Sequence, residues 1–295
     1  MRKYKIIRLL PVLILAIALN FAFINNDKGD VKIVTTTNFQ KVDRYVNRLL
    51  EQSDASDILI VLDIDDTILT SSTDLGGDVW YQWQRGKLNI KPTDAQKVDC
   101  LFEDSIGLLY ELGTTKLTDS IIPNLINNWQ EKEIPVFALT SRSPRYRAAT
   151  ERELNRTGID FTKTALRPEG EDLPTYRYNL KNEMSYMKGI MMTSGMNKGE
   201  MLQHILQKTN QDFESIIFVD DSEKNVYNLE QQFKNSGIDM TIFHYTKVIE
   251  DRKTANGGVI LTEDQATKMD MEWKKLNATL KVIFPNRYAD GKCLN

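Results

Sequence analysis

The stretch "IVLDIDDTILTSS" (residues 60–72) decides the fold. It places Asp63, Asp65 and Asp66 within four positions, directly after an aliphatic run. The preceding "DILIVLD" (57–63) carries five aliphatics without alternation, the pattern of a strand covered on both faces of a parallel sheet. Ligands of open α/β sheets bind beyond the carboxyl ends of the strands. A strand end crowded with carboxylates therefore reads as a cation-dependent site. An EF-hand loop would need an oxygen ligand at position 5 and glycine at position 6, but counted from Asp63 position 6 is Ile68. A helix N-cap would account for one aspartate and leave the others unexplained.

Outward from this strand, buried and amphipathic segments alternate. A helix is expected within "DSIIPNLINNWQEK" (119–132), then a strand in "IPVFALT" (134–140) and a helix in "PRYRAATERELNRTG" (144–158). A polar insertion precedes a strand in "GIMMT" (189–193). "KGEMLQHILQK" (198–208) and "EKNVYNLEQQFKNSG" (223–237) read as helices, with strands in "ESIIFVD" (214–220) and "DMTIFHYT" (239–246). The alternation implies a three-layer α/β core with a mostly parallel sheet.

Residues 71–118 interrupt that order and read as a small, largely helical module inserted after the first strand. Its Trp80, Tyr81 and Trp83 either stack on a ligand or form the module's own core. The expected divisions are a leader at 1–26, a core of 27–70 and 119–250, the insertion at 71–118, and an extension at 251–295 packed on the core. The extension holds a helix from about Glu263 to Leu280.

Four cations (Arg2, Lys3, Lys5, Arg8) precede a 16-residue, mostly apolar run from Leu9 to Ile24. That is short of the roughly 20 residues of a spanning helix and matches a secretory signal, either cleaved or retained as an N-terminal anchor. The protein is expected outside the cytoplasm, touching a membrane only through that segment if it is uncleaved. The net charge of −3, with no basic stripe beyond the leader, points away from nucleic acid. With two histidines and two cysteines, a His/Cys zinc site is not expected. Cys100 and Cys293 are read as unpaired thiols in preference to a bridge.

The residues at the expected strand ends carry a resemblance. "DIDDT" (63–67), "LTSR" (139–142), "NKGEML" (197–202) and "VDDSEKN" (219–225) resemble, in order, the four motifs of the haloacid dehalogenase superfamily. Within it, the first two stretches look like those of secreted class B and C acid phosphatases. "YMKGIMMTSGMNKGEML", "FVDDSEKNV" and "GGVILTEDQ" look closer to a bacterial family, domain of unknown function 2608. The resemblance implies a Rossmann-like core with a C1-type cap, and a Mg²⁺-dependent phosphatase acting on a small phosphorylated substrate.

By the same resemblance, Asp63 is the nucleophile and Asp65 the general acid and base. Mg²⁺ falls to Asp63, the Asp65 carbonyl, Asp220 and Asp221. The phosphoryl group falls to Thr140, Ser141 and Lys198. Arg142 either clamps a substrate anion or pairs with a carboxylate. Asp66 is expected to hold the turn. A phosphotransferase, or a non-catalytic binding protein on the same fold, are the alternatives.

Overall fold

The computed structural model describes residues 29–288 and Cys293. The leader lies outside the described residues. Strand β1 (Val31–Thr36) and helix α1 (Phe39–Leu49) open the fold, followed by β2 (Ile58–Leu62) and the short β3 (Leu69–Ser71). Helices α2 (Asp78–Gln84) and α3 (Ile106–Leu112) follow, then β4 (Thr115–Leu117), α4 (Ile122–Glu131), β5 (Val136–Thr140) and α5 (Arg147–Arg156). Next come β6 (Tyr176–Asn179), β7 (Glu183–Met187), β8 (Ile190–Met192), α6 (Lys198–Thr209) and β9 (Ser215–Asp220). The last elements are α7 (Glu223–Phe233), β10 (Asp239–Tyr245), α8 (Lys247–Ala255) and α9 (Glu263–Ile283).

The main sheet runs β1-β10-β9-β2-β5-β8-β7-β6, parallel from β1 to β8 and antiparallel at the β7–β6 edge. Side chains of β2 alternate between two cores. Ile58, Ile60 and Leu62 face the layer containing α1 and α4, through Val42, Val46, Ile122 and Trp129. Leu59 and Val61 face the layer of α6 and α7, through Leu202, Ile205, Leu229 and Phe233. Burial on both faces is why β2 has no polar position, and it fixes the expected three-layer α/β architecture.

Four features depart from the sequence reading. First, β1 and α1 precede the strand that the sequence marks as first, so the insertion follows the second strand of the sheet and not the first. Second, the insertion is closed at its base by a two-stranded antiparallel sheet, Leu69–Ser71 against Thr115–Leu117. Glu153 on α5 braces that neck, accepting hydrogen bonds from Thr115 N (2.6 Å), Arg156 and Arg152. Third, the extension packs on the insertion. Leu261, Ala266 and Met269 share one cluster with Val79, Trp80, Trp83 and Leu109. The apolar face of α9 is thus the missing wall of a module too small to enclose two tryptophans alone. Fourth, Cys100 and Cys293 form a disulfide with a Cα–Cα distance of 5.4 Å, tying the tail to the insertion. The expectation of free thiols fails because a contact across 193 residues leaves no local signal.

Candidate active site

The sheet brings three carboxyl-terminal strand ends together. Asp63 directly follows β2, and its N–H donates to Val219 O of β9 at 2.9 Å. Asp220 ends β9, Thr140 ends β5, and Lys198 opens α6. Asn197 caps α6, its side chain accepting from the N–H groups of Gly199 and Glu200, so the helix starts at Lys198 and aims it at the strand ends.

Lys198 is wholly buried and lies between two carboxylates, 2.7 Å from Asp63 Oδ1 and 2.6 Å from Asp220 Oδ2. Asp220 also accepts from Ser222 N–H at 2.9 Å and from Asn225 Nδ2 at 3.0 and 3.1 Å. Burial alone would lower the Lys198 pKa. Asp220 and Asp63 reverse the effect and raise it, so the lysine stays cationic.

One cation does not balance the carboxylates around it. Ligating oxygens of Asp63, Asp220 and Asp221 lie within 4.8 Å of one another, and so do those of Asp66, Asp78 and Asp221. Asp221 belongs to both groups. Burial raises its carboxyl well above the usual range, and the charges of Asp220 and Asp63 add to that. Asp63 is likewise pushed well up by burial, against the pull of Lys198. Burial lifts Asp66 to about 7 and Asp78 to about 6.

The donor set fits a hard divalent cation such as Mg²⁺. It is all oxygen and strongly acidic. Asp63 Oδ1 is also buried without a hydrogen-bonding donor, since its approach to Lys198 is an ion pair lacking hydrogen-bond geometry.

Above these groups opens a cavity of about 610 Å³ between the core and the insertion. Asp63, Asp65, Ser141, Arg142 and Asp221 line it. Thr140, Lys198 and Asp220 are fully buried beneath the floor. The Thr140 hydroxyl accepts from Arg142 N–H at 3.1 Å, and Thr193 anchors the Thr140 carbonyl. Thr140 therefore holds the loop that presents Ser141 and Arg142.

Arg142 pairs with a carboxylate. It grips Asp65 with two nitrogens, at 2.9 and 2.7 Å, while its third donates to Thr150 Oγ1 at 2.9 Å. Its guanidinium lies 4.2 Å from the Tyr110 ring centroid. Asp66 has a left-handed φ of 52° and accepts from Thr70 Oγ1 at 2.6 Å, the turn-holding role expected of it. Trp80 and Trp83 are buried in the insertion's core, whereas Tyr81 lines the cavity.

Several site residues were not singled out in the sequence. Asn225 sits five positions past Asp220, within the first turn of α7, and that spacing could have marked it as a carboxylate partner. Asp78 comes from the insertion and carries no local signal. Lys224, Tyr110 and Asn182 of the β6–β7 turn also reach the cavity.

Comparison with known proteins gives distant relatives. A "Putative outer membrane protein" of Chlamydia trachomatis serovar D is 25% identical over 200 residues, covering 65% of this chain and 73% of that protein. A protein of the same printed name from Chlamydia muridarum is 25% identical over 181 residues, covering 58% of this chain and 65% of that protein. A solved haloacid dehalogenase-like family hydrolase from Streptococcus pneumoniae aligns with a TM-score of 0.35 and 14% identity. That alignment covers 65% of this chain and 95% of the hydrolase. Residues 35–284 match the family described as protein of unknown function (DUF2608), and the chain belongs to that family.

Proposed function

We propose that the protein is a Mg²⁺-dependent phosphomonoesterase of the cell envelope or exterior, with Asp63 as its nucleophile. The carrying observation is the buried Lys198 ammonium held between Asp63 and Asp220, within a carboxylate cluster that one cation cannot neutralise. An anionic carboxylate attacks an anionic phosphate ester only where positive charge is fixed beside it. Asp63, Asp220 and Asp221 would hold Mg²⁺, which supplies Lewis-acid neutralisation of the phosphoryl oxygens.

In the first half-reaction an Asp63 oxygen bonds to phosphorus, and the bond from phosphorus to the ester oxygen breaks. The departing alkoxide takes the proton of Asp65. In the second, the Asp65 carboxylate takes a proton from water, whose oxygen attacks phosphorus, releasing phosphate and regenerating Asp63. The bidentate Arg142 contact fixes the orientation of the Asp65 carboxyl group at the cavity. Ser141, on the loop that Thr140 holds, lines the cavity and would donate to a phosphoryl oxygen.

An envelope location is supported by the leader pattern and by the printed names of the chlamydial relatives. Among the described residues, no helix is long and apolar enough to cross a membrane. Turnover of p-nitrophenyl phosphate, present with Mg²⁺ and abolished by EDTA and by Asp63→Asn, is the expected result. Metal binding without turnover of any phosphomonoester would identify a binding protein instead.

A further inference from the structure

The cavity is larger than one phosphoryl group needs, and its mouth differs in charge from its floor. The floor is acidic. The insertion side carries Arg85 and Lys87, just beyond the end of α2, and Lys224 faces the same cavity from the first turn of α7. All three are exposed, and among the described residues none forms a salt bridge. Asp78 attracts Lys87 from beyond salt-bridge distance, but Arg85 and Lys224 repel it. After burial, those two cations are the causes that lower its pKa. Three cations from two separate segments converge on one opening, Arg85 and Lys87 drawn to Asp78 but none held in a salt bridge among the described residues, and a bound anion would relieve their mutual repulsion.

The same wall offers a surface for a flat or apolar body. Phe102 is 53% exposed and meets Tyr81 edge to face, with ring centroids 5.7 Å apart. The Arg85 guanidinium lies 5.3 Å from the Tyr81 centroid and donates to its hydroxyl at 2.9 Å. Arg85 is thereby pre-positioned over the cavity and does not have to be ordered by the ligand.

We propose that the cavity takes a phosphomonoester bearing a second phosphate. The scissile group sits at Asp63, the second at Arg85, Lys87 and Lys224, and the connecting body lies along Phe102 and Tyr81. This rests on the phosphatase reading for the scissile end and adds the substrate class. A single phosphate would leave the mouth cations unpaired. A second phosphate neutralises them.

The test compares adenosine 3′,5′-bisphosphate with adenosine 5′-monophosphate and adenosine 3′-monophosphate, with Mg²⁺ at low ionic strength. The kcat/KM for the bisphosphate should exceed that of the better monophosphate by about tenfold, the sum of a few partly screened ion pairs. Raising the salt to about 0.5 M should shrink the ratio to under about threefold. The double substitution Arg85→Gln/Lys87→Gln should bring it to about one, a ratio that general loss of activity does not move. A ratio near one in the wild-type protein at low salt, or one untouched by the double substitution, overturns the proposal.

Calorimetric titration of the Asp63→Asn protein with the same nucleotides repeats the comparison without turnover. If no phosphomonoester is hydrolysed while the bisphosphate still binds about tenfold tighter, the phosphatase reading falls and the two-phosphate site stands. If p-nitrophenyl phosphate is hydrolysed while the nucleotides bind alike, the reverse holds.

Discussion

Replacing Asp220 by alanine tests the charge balance of the site. Sequence alone suggests that the substitution relieves repulsion among crowded aspartates and leaves the metal-free protein as stable as before, or more so. The structure reverses that expectation. Lys198 lies 2.6 Å from Asp220, with both side chains fully buried, whereas the neighbouring acids are held apart by the lysine itself. Alanine would leave the ammonium with Asp63 alone, and Ser222 N–H and Asn225 Nδ2 without their acceptor. Removing one partner of a buried pair typically costs about 3–5 kcal/mol. Asp63 still offsets part of the charge, so about 3 kcal/mol is expected, or roughly 6–12 °C in Tm for a chain of this size. Thermal melts in EDTA at pH 7.5 measure it directly. Lys198→Met should cost at least as much. The double variant should be less destabilised than the sum of the two by about 1–3 kcal/mol, because the partners are in contact. An Asp220→Ala protein melting at or above the wild-type temperature would refute the ion-triad account.

Three further outcomes follow from named residues. Asp66 and Asp78 titrate in the folded protein near 7 and 6, above the ordinary 3.8, so the folded state binds protons more tightly than the unfolded chain. Metal-free stability should therefore rise as the pH is lowered from 8 to 5 and fall as it rises through 6–7. Saturating Mg²⁺ should flatten the slope, and a Tm that increases with pH in EDTA would contradict it. Asp65→Asn should slow the phosphorylation burst on an alkyl phosphate by about 10²–10⁴-fold, but far less on p-nitrophenyl phosphate, whose leaving group needs no proton. Equal losses in burst rate would remove Asp65 as the acid. Burial would raise Glu153, but hydrogen bonds from Arg156, Thr115 N–H and Arg152 bring it down to about 2. Its contribution is thus complete above about pH 4.5 and lost as pH falls through 2. Glu153→Gln should cost about 1–2 kcal/mol in urea unfolding at pH 7, since both arginines are nearly half exposed, and the gap should narrow below about pH 4.5 and close only near pH 2. A gap that persists at low pH would show that the charge is not what braces the neck.

The part of the fold legible in the sequence was the part whose signal is local. β2, β5 and β9 are buried on both faces, so their composition alone marks them, and the polar residues at their ends mark the site. β1 escaped notice because it lies at the sheet edge, with most of its side chains partly or fully exposed. The β6–β7 hairpin, rich in tyrosine and polar residues, gave no apolar run to read. In α9 the apolar periodicity announced a buried face but not its partner, and the partner proved to be the insertion. The same limit applies inside the site. Asp63, Lys198 and Asp220 meet because their strand and helix ends do. That Arg142 grips Asp65, and that Asp78 joins Asp66 and Asp221, depends on loop paths that no spacing encodes.

The shared core of the insertion and α9 also dictates an order of events during synthesis. The parallel sheet is complete once Tyr245 has emerged, and domains tend to fold as their residues become available. The insertion cannot follow at that stage. Trp80 and Trp83 must wait for Ala266 and Met269, which follow Tyr245 by roughly 1–5 s at ordinary elongation rates. Until then two tryptophans stand uncovered on an otherwise finished protein, and Cys100 remains a thiol for lack of its partner. A nascent chain of this kind offers a chaperone or a thiol oxidant one late, well-defined target. Premature stops after β10 should release a folded core with a sticky, unfinished lid.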